Sequence, residues 1–283
     1  MTFRLATIDG NPALVDDNGG WHSIGRVGGA LAGLATNDLL GRCEEVHSVS
    51  SGLDSADGLF ADAVDAGRVG APVPEPRAVF GVGLNYGTHA AESGRDLPST
   101  PLVFTKFPTC IVGPRADVAL NSTTGDYEVE LVVAIGRGGR DIAPHDAWAH
   151  VAGLTVGQDI SDRALQYATK PPQFNLGKSR DTYGPIGPLL VSVDSVPDPT
   201  DLAISCAVNG EQRQADRTSH LIFDVPTLVS YLSGILTLRP GDLIFTGTPG
   251  GVGVTTSNYL RPGDVITSTI EGIGTIVNRC IER

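Results

Sequence analysis

Beyond residue 76 the chain is a succession of short apolar runs, each closed by turn residues. RAVFGVG, LVFTKF, EVELVVAIG, VAGLTVGQD, GPLLVSV, LAISCAVNG, DLIFTG, DVITSTI and GTIVNRCI have the length and the β-branched content of strands. The punctuation agrees. RPGD occurs at Arg239 to Asp242 and again at Arg261 to Asp264, Pro followed by Gly as a type II turn prefers, and VNGE at Val208 to Glu211 carries the Asn-Gly signal of a tight hairpin. Helical patterns are fewer: Asn85 to Ser93, Pro144 to His150, Ser161 to Thr169, and most clearly Asp224 to Leu236, where Pro226 suits a first turn. Strands this dense, without regular alternation with long helices, predict a mostly β, α+β fold built as a mixed sandwich or roll.

The N-terminal segment predicts a smaller α+β unit. It has a strand in TFRLATI, a hairpin whose DNGG turn joins PALV to WHSI, and short helices near Thr36 to Leu40 and Asp54 to Ala66. The run APVPEPR, with Pro72, Pro74 and Pro76, stiffens the backbone and denies it a helix. The expected division is a small N-terminal domain, 1–72, and a larger domain, 73–283.

Composition narrows the function classes. With 283 residues, 41% hydrophobic and 18% charged, the chain is long enough for a sizeable core. A net charge of -12 and a pI near 4.8, with no Lys/Arg cluster, argue against nucleic acid or an anionic membrane as partner. Cys43, Cys110, Cys206 and Cys280 are far apart and follow no metal-ligand spacing, as expected of reduced thiols. No signal-like N-terminus is present, and the longest strongly apolar run, LVVAI, is too short to span a bilayer, so a soluble, cytoplasmic protein is expected.

The stretch DYEVELVVAIG sets Asp126, Glu128 and Glu130 at every second position of an apolar strand. Same-face Cα atoms lie roughly 6.6 Å apart, so Glu128 and Glu130 can converge on one hard cation, Mg²⁺, Mn²⁺ or Ca²⁺. The alternative is a solvated strand end with the acids outward. Asp159, closing VAGLTVGQD, is either a third ligand or the cap of the helix that follows. In LNYGTHAAE, His89 and Glu92 stand at i and i+3, where a carboxylate can orient an imidazole as a general base, or where the two form an ordinary surface pair. Arg163 and Gln166 have the same spacing, and Lys178 lies in NLGKSRD; each serves an anionic substrate or is surface polarity. GVGLNYG misses the dinucleotide fingerprint and TGTPGGVGV lacks a P-loop ending, but the latter can bring backbone N–H groups and the Thr248 hydroxyl to a small anion.

The order of these pieces carries more than any one. NYxxHAxE, DYEVEL, GQDISDRALQ, GKSRDTYGPIGP, VNGExRQ with IFDVP, PGDLIFTGTPGGVG and a final PGD with EGIGTIVN follow one another from about Arg77 to the C-terminus. This succession resembles the fumarylacetoacetate hydrolase family. The resemblance implies a mixed β-roll or sandwich catalytic domain, a homodimer, and Mg²⁺ or Mn²⁺ held by Glu128, Glu130 and Asp159. It further implies His89 and Glu92 as a catalytic dyad, Lys178 as a catalytic cation, and Arg163, Gln166 and Thr248 on the substrate. Asp126 matches the segment without being a ligand. The chain departs from the family pattern at Ala164, where relatives commonly carry an acid, at Phe107 to Cys110, where they are often Ser-rich, and at Gly250, where they are bulkier.

The resemblance implies a small 2-oxo acid or 1,3-dicarbonyl substrate. Acylpyruvate-type C–C hydrolysis is the first expectation, with oxaloacetate-type decarboxylation and hydroxymuconate-type isomerisation as alternatives. The loop SGRDLPSTP, Ser93 to Pro101, is expected to act as a lid. A noncatalytic ligand-binding protein on the same fold is the rival of another class, for which Ala164 is the motive.

Overall fold

The computed structural model describes residues 1–283 apart from 93 and 95. Its core is two β layers. A twelve-stranded mixed sheet has at its centre the antiparallel strands Val129–Ile135, Val151–Gln158 and Gly184–Val191. A five-stranded sheet, ordered Glu211–Arg217, Ala203–Val208, Val265–Ile270, Gly274–Glu282 and Val118–Leu120, packs against those central strands. The hydropathy pattern explains the division. Val129–Ile135 and Gly184–Val191 are buried at every position, as unbroken apolar runs require, whereas Ala203–Val208 and Val265–Ile270 bury alternate residues and leave one face outward.

Residues before 72 add strands to the large sheet. Arg4–Ile8 pairs antiparallel with Gly184–Val191 through Arg4 opposite Val191 and Leu5 opposite Leu190. The DNGG hairpin forms between Asn11–Val15 and Gly20–Ser23, with Gly19 at φ +80°. Both RPGD turns are type II: Gly241 and Gly263 have φ of +87° and +97°, and each terminal Asp N–H donates to the Arg carbonyl at 3.0 Å. Asn209 and Gly210 both have positive φ, the hairpin turn that VNGE predicts.

Helices differ more from expectation. The clear one runs Val225–Ile235, with the Asp224 carboxylate accepting the Thr227 N–H. The pattern from Ser161 yields only Arg163–Gln166, because Ser161–Asp162 is captured as a strand by Gly125–Asp126 and the Asp162 side chain caps the turn. Gly58–Leu59 pairs with Gly20–Ser23, which shortens the next helix to Phe60–Asp65. Pro144–His150 is 3₁₀, and Cys43–Ser50 is a helix the sequence pattern did not single out. The His89 helix spans Gly87–Glu92; its expected end at Ser93, and the start of the expected lid, lie outside the described residues. No helix among the described residues is long and apolar enough to cross a membrane.

The strand predicted through EVELVVAIG is in fact broken. Gly125–Asp126 belongs to a two-stranded ladder and Val129–Ile135 to the large sheet. At the break, the N–H groups of Glu128 and Val129 are accepted by the amide oxygens of Gln158 and Gln214, at 2.9 and 3.0 Å. Gln158 donates onward to Ser268 Oγ, and Gln214 to Thr248 Oγ1 and the Pro249 carbonyl, each at 2.8 Å. Both glutamines are buried, so these bonds have no water to replace them. Gln214→Leu is expected to lower stability by about 1–3 kcal/mol, the cost of stranding a buried donor, in urea denaturation. Gln212→Leu, at an exposed position of the same strand, should leave it unchanged.

Candidate active site and metal centre

The break aims the acids. Glu128 and Glu130 emerge on either side of Val129, and Asp159, one residue past the end of Val151–Gln158, joins them. Carboxylate oxygens of Glu128, Glu130 and Asp159 lie within 4.8 Å of one another, and all three residues are buried. The Asp159 N–H donates to the Glu128 carbonyl at 2.8 Å, which fixes the two chains side by side.

Cations partner most of this charge. Lys178 Nζ donates to Glu128 Oε2 and, at 2.7 Å, to Asp159 Oδ2. Lys106 Nζ donates to Asp159 Oδ1 at 2.6 Å and to the carbonyls of Lys178 and Tyr183. Arg163 bridges Glu128 Oε1 and Asp126 Oδ2 and gives its remaining fork to the Gln166 amide oxygen at 3.0 Å. Burial works against the ionised form of Glu128, yet Lys178 and Arg163 hold its carboxyl well below the usual range. Burial likewise disfavours the Lys178 ammonium, and Asp159 and Glu128 outweigh it to raise its pKa.

Glu130 is the exception. Its Oε2 accepts the Gly247 N–H at 2.7 Å, and among the described residues no cation bonds it. Burial, then the charges of Asp159 and Glu128, push its carboxyl far above the ordinary value. A buried set of three oxygen ligands with one acid lacking a counter-charge fits a hard divalent cation such as Mg²⁺, Mn²⁺ or Ca²⁺, and offers no nitrogen or sulfur for a softer one.

Across the cavity, His89 Nδ1 pairs with Glu92 Oε1 at 2.8 Å, as their spacing predicts, and Glu92 Oε2 accepts the Gly251 N–H at 2.8 Å. The helix that carries them is anchored by Asn85, whose side chain bonds the Thr246 carbonyl and both polar backbone groups of Phe223. A cavity of about 270 Å³ collects every residue that the resemblance assigns to metal, catalysis or substrate except Asp159, which is bonded to Lys178 of its lining. The apolar part of its lining is Val82, Leu84, Phe104, Phe174 and Val254. Thr248 faces the cavity with its hydroxyl already engaged, donating to the Val129 carbonyl and accepting from Gln214.

One residue of the site, Lys106, escapes the sequence pattern, and a second, Asp126, is grouped by its spacing with the two glutamates. Lys106 is fully buried, and the available signal was a lysine sharing the inward face of LVFTKF with Phe104. Asp126 is buried too, but its oxygens accept Arg163 and the N–H groups of Tyr127, Gly253 and Val254, so it braces the site without reaching the carboxylate cluster.

The family model described as fumarylacetoacetate (FAA) hydrolase C-terminal matches residues 78–281. Oxaloacetate tautomerase FAHD2A, mitochondrial, from Bos taurus is 44% identical over 215 residues, 75% of this chain and 68% of that protein. The crystal structure of fumarylpyruvate hydrolase from Pseudomonas aeruginosa in complex with Mn²⁺ and pyruvate is 39% identical, with a TM-score of 0.68 over 74% of this chain and 91% of that one. A Mycobacterium smegmatis protein provisionally called HpcE superposes with a TM-score of 0.91 at 43% identity over 99% of both chains. The chain belongs to the fumarylacetoacetate hydrolase family and, like its relatives, is an enzyme.

Proposed function

We propose that this enzyme forms and reprotonates the enolate of a small 2-oxo acid, with keto–enol interconversion of an oxaloacetate-type acid as its reaction. The observation that carries the proposal is the meeting, in one cavity, of a three-carboxylate cluster with an unbalanced acid and a His–Glu pair. Identity to an oxaloacetate tautomerase over three quarters of the chain favours proton transfer over bond cleavage. Glu128, Glu130 and Asp159 would hold Mg²⁺ or Mn²⁺, which when bound supplies Lewis acidity to the 2-oxo group.

The remaining roles fall to the protein's own groups. Glu92 accepts from His89 Nδ1 and so leaves Nε2 as the basic nitrogen, placed to take a proton from the carbon beside the ketone and return it. The Lys178 ammonium, already held in the cavity, balances negative charge that develops on the enolate oxygen. Gln166 has its oxygen occupied by Arg163, so its amide N–H₂ is the group offered to a substrate carboxylate.

The apolar lining favours a second reading. A four-carbon diacid makes no use of Val82, Leu84, Phe104 and Phe174, whereas the acyl group of an acylpyruvate would pack there. In that reaction His89 deprotonates water for attack on the distal carbonyl, and the pyruvate enolate departs beside Lys178.

Protein stripped with EDTA and reloaded with Mn²⁺ should hasten the decay of enol-oxaloacetate absorbance. Loss of the 1,3-dicarbonyl band of an acylpyruvate would instead support the hydrolytic reading. No metal-dependent change with either substrate would overturn both readings. In calorimetric titration, Glu130→Ala is expected to lose Mn²⁺ binding. His89→Ala should bind Mn²⁺ normally while turnover falls about 10²- to 10⁴-fold, the usual worth of a general base. Wild-type turnover in His89→Ala would remove the dyad from the mechanism.

A further inference from the structure

The segment Asp126 to Glu130 touches the glycine loop Gly247 to Val254 almost residue by residue. Glu130 accepts the Gly247 N–H at 2.7 Å and the Val129 carbonyl accepts the Thr248 hydroxyl at 2.8 Å. Tyr127 Oη donates to the Gly251 carbonyl at 3.1 Å, and Asp126 accepts the N–H groups of Gly253 and Val254 at 2.7 and 2.9 Å. The outer side of the same loop holds the His89 helix. Gly251 N–H donates to Glu92 Oε2 at 2.8 Å, and Gly250 N–H donates to Thr88 Oγ1 at 3.1 Å. Gly251 is therefore tied twice, its N–H to the dyad and its carbonyl to Tyr127.

At Gly251 φ is +103°, and a Cβ there would lie 2.1 Å from the Arg213 carbonyl oxygen, so only glycine fits. Tyr127 is 2% exposed, and its ring fills core where the strand breaks. The two halves of the cavity, carboxylate cluster and dyad, thus share one scaffold, and Tyr127 is the member of it that bonds Gly251, the residue whose N–H holds Glu92.

We propose that Tyr127 is a positioning residue for the His89–Glu92 pair: by holding the Gly251 carbonyl it fixes the N–H that holds Glu92, and so sets the imidazole over the cavity. This rests on the dyad having the role given above. Tyr127→Phe removes one hydroxyl and keeps the ring, so the fold is retained.

The test uses the full chain and two readouts. In Mg²⁺-loaded protein, the His89 ring resonances, assigned by their loss in His89→Ala, are expected to move in Tyr127→Phe in the same direction as in Glu92→Gln. Calorimetric Mn²⁺ affinity should stay within about twofold of wild type, since no ligand is touched. On enol-oxaloacetate, Tyr127→Phe should lose about 10- to 100-fold in turnover, the scale set by misplacing a catalytic group, and should lose nothing further when His89 is already alanine. Unmoved His89 resonances would overturn the proposal whatever the turnover. An equal loss in both backgrounds would also overturn it, because a merely structural role does not depend on His89. Failure of the dyad itself shows separately, as unimpaired turnover in His89→Ala alone.

Discussion

Everything in this site follows from burying four carboxylates against three fixed cations. Asp126, Glu128, Glu130 and Asp159 are withdrawn from water together with Lys106, Arg163 and Lys178, and desolvated charge is tolerable only when paired and hydrogen-bonded. Three of the acids meet this condition within the chain. Glu130 has no cation bonded to it among the described residues, and burial with the charges of Asp159 and Glu128 disfavours its ionised form. The imbalance is local and specific: the fold supplies an ammonium to Glu128 and Asp159 and none to Glu130. A divalent cation, if held there, would turn the deficit of one charge into a surplus of one, which would suit an anionic substrate.

Such a cluster requires rigid surroundings, and the strand break supplies them. A continuous ladder through Glu128 would have tied its N–H to a neighbouring strand and taken the chain straight past the site. Instead Gln158 and Gln214 replace the ladder for two residues, and each hands its remaining donors to the second sheet or to the glycine loop. The polar network costs desolvation, but every member of it has a partner, and fully paired buried networks specify a unique arrangement. The catalytic geometry and the packing of the two sheets are thereby the same problem.

Much of this was legible in the sequence, and the misses share a cause. Turns set by local chemistry, RPGD and VNGE, form as written, because Gly and Asn decide φ with little help from elsewhere. The His89–Glu92 contact was readable from an i, i+3 spacing, and Asp224 and Pro226 marked the start of Val225–Ile235. What the pattern could not convey depends on chain segments far apart in sequence. Lys106 belongs to the site only because Asp159 arrives beneath it, 53 residues later. Asp126 is indistinguishable from Glu128 and Glu130 by alternation, and becomes a brace only through Arg163 and the N–H groups of Gly253 and Val254. The break at Glu128 is invisible until two distant glutamines are placed beside it.

The departures from the family pattern can be weighed by where they fall. Ala164 is exposed on the outer side of Arg163–Gln166, and only its backbone N–H is engaged, by Thr124 Oγ1 at 2.9 Å. Losing an acid there leaves the links from Arg163 to Asp126, Glu128 and Gln166 intact, so it gives little support to a chain that has lost turnover. Phe107 projects to the surface at 49% exposure and Cys110 is buried against Gly184, both outside the cavity. Gly250 is different. A Cβ there would stand 3.3 Å from Thr88, on the helix that presents His89, so a bulkier residue would press on that helix unless it moved. Of the three departures, Gly250 is therefore the one that meets the helix carrying His89 and Glu92.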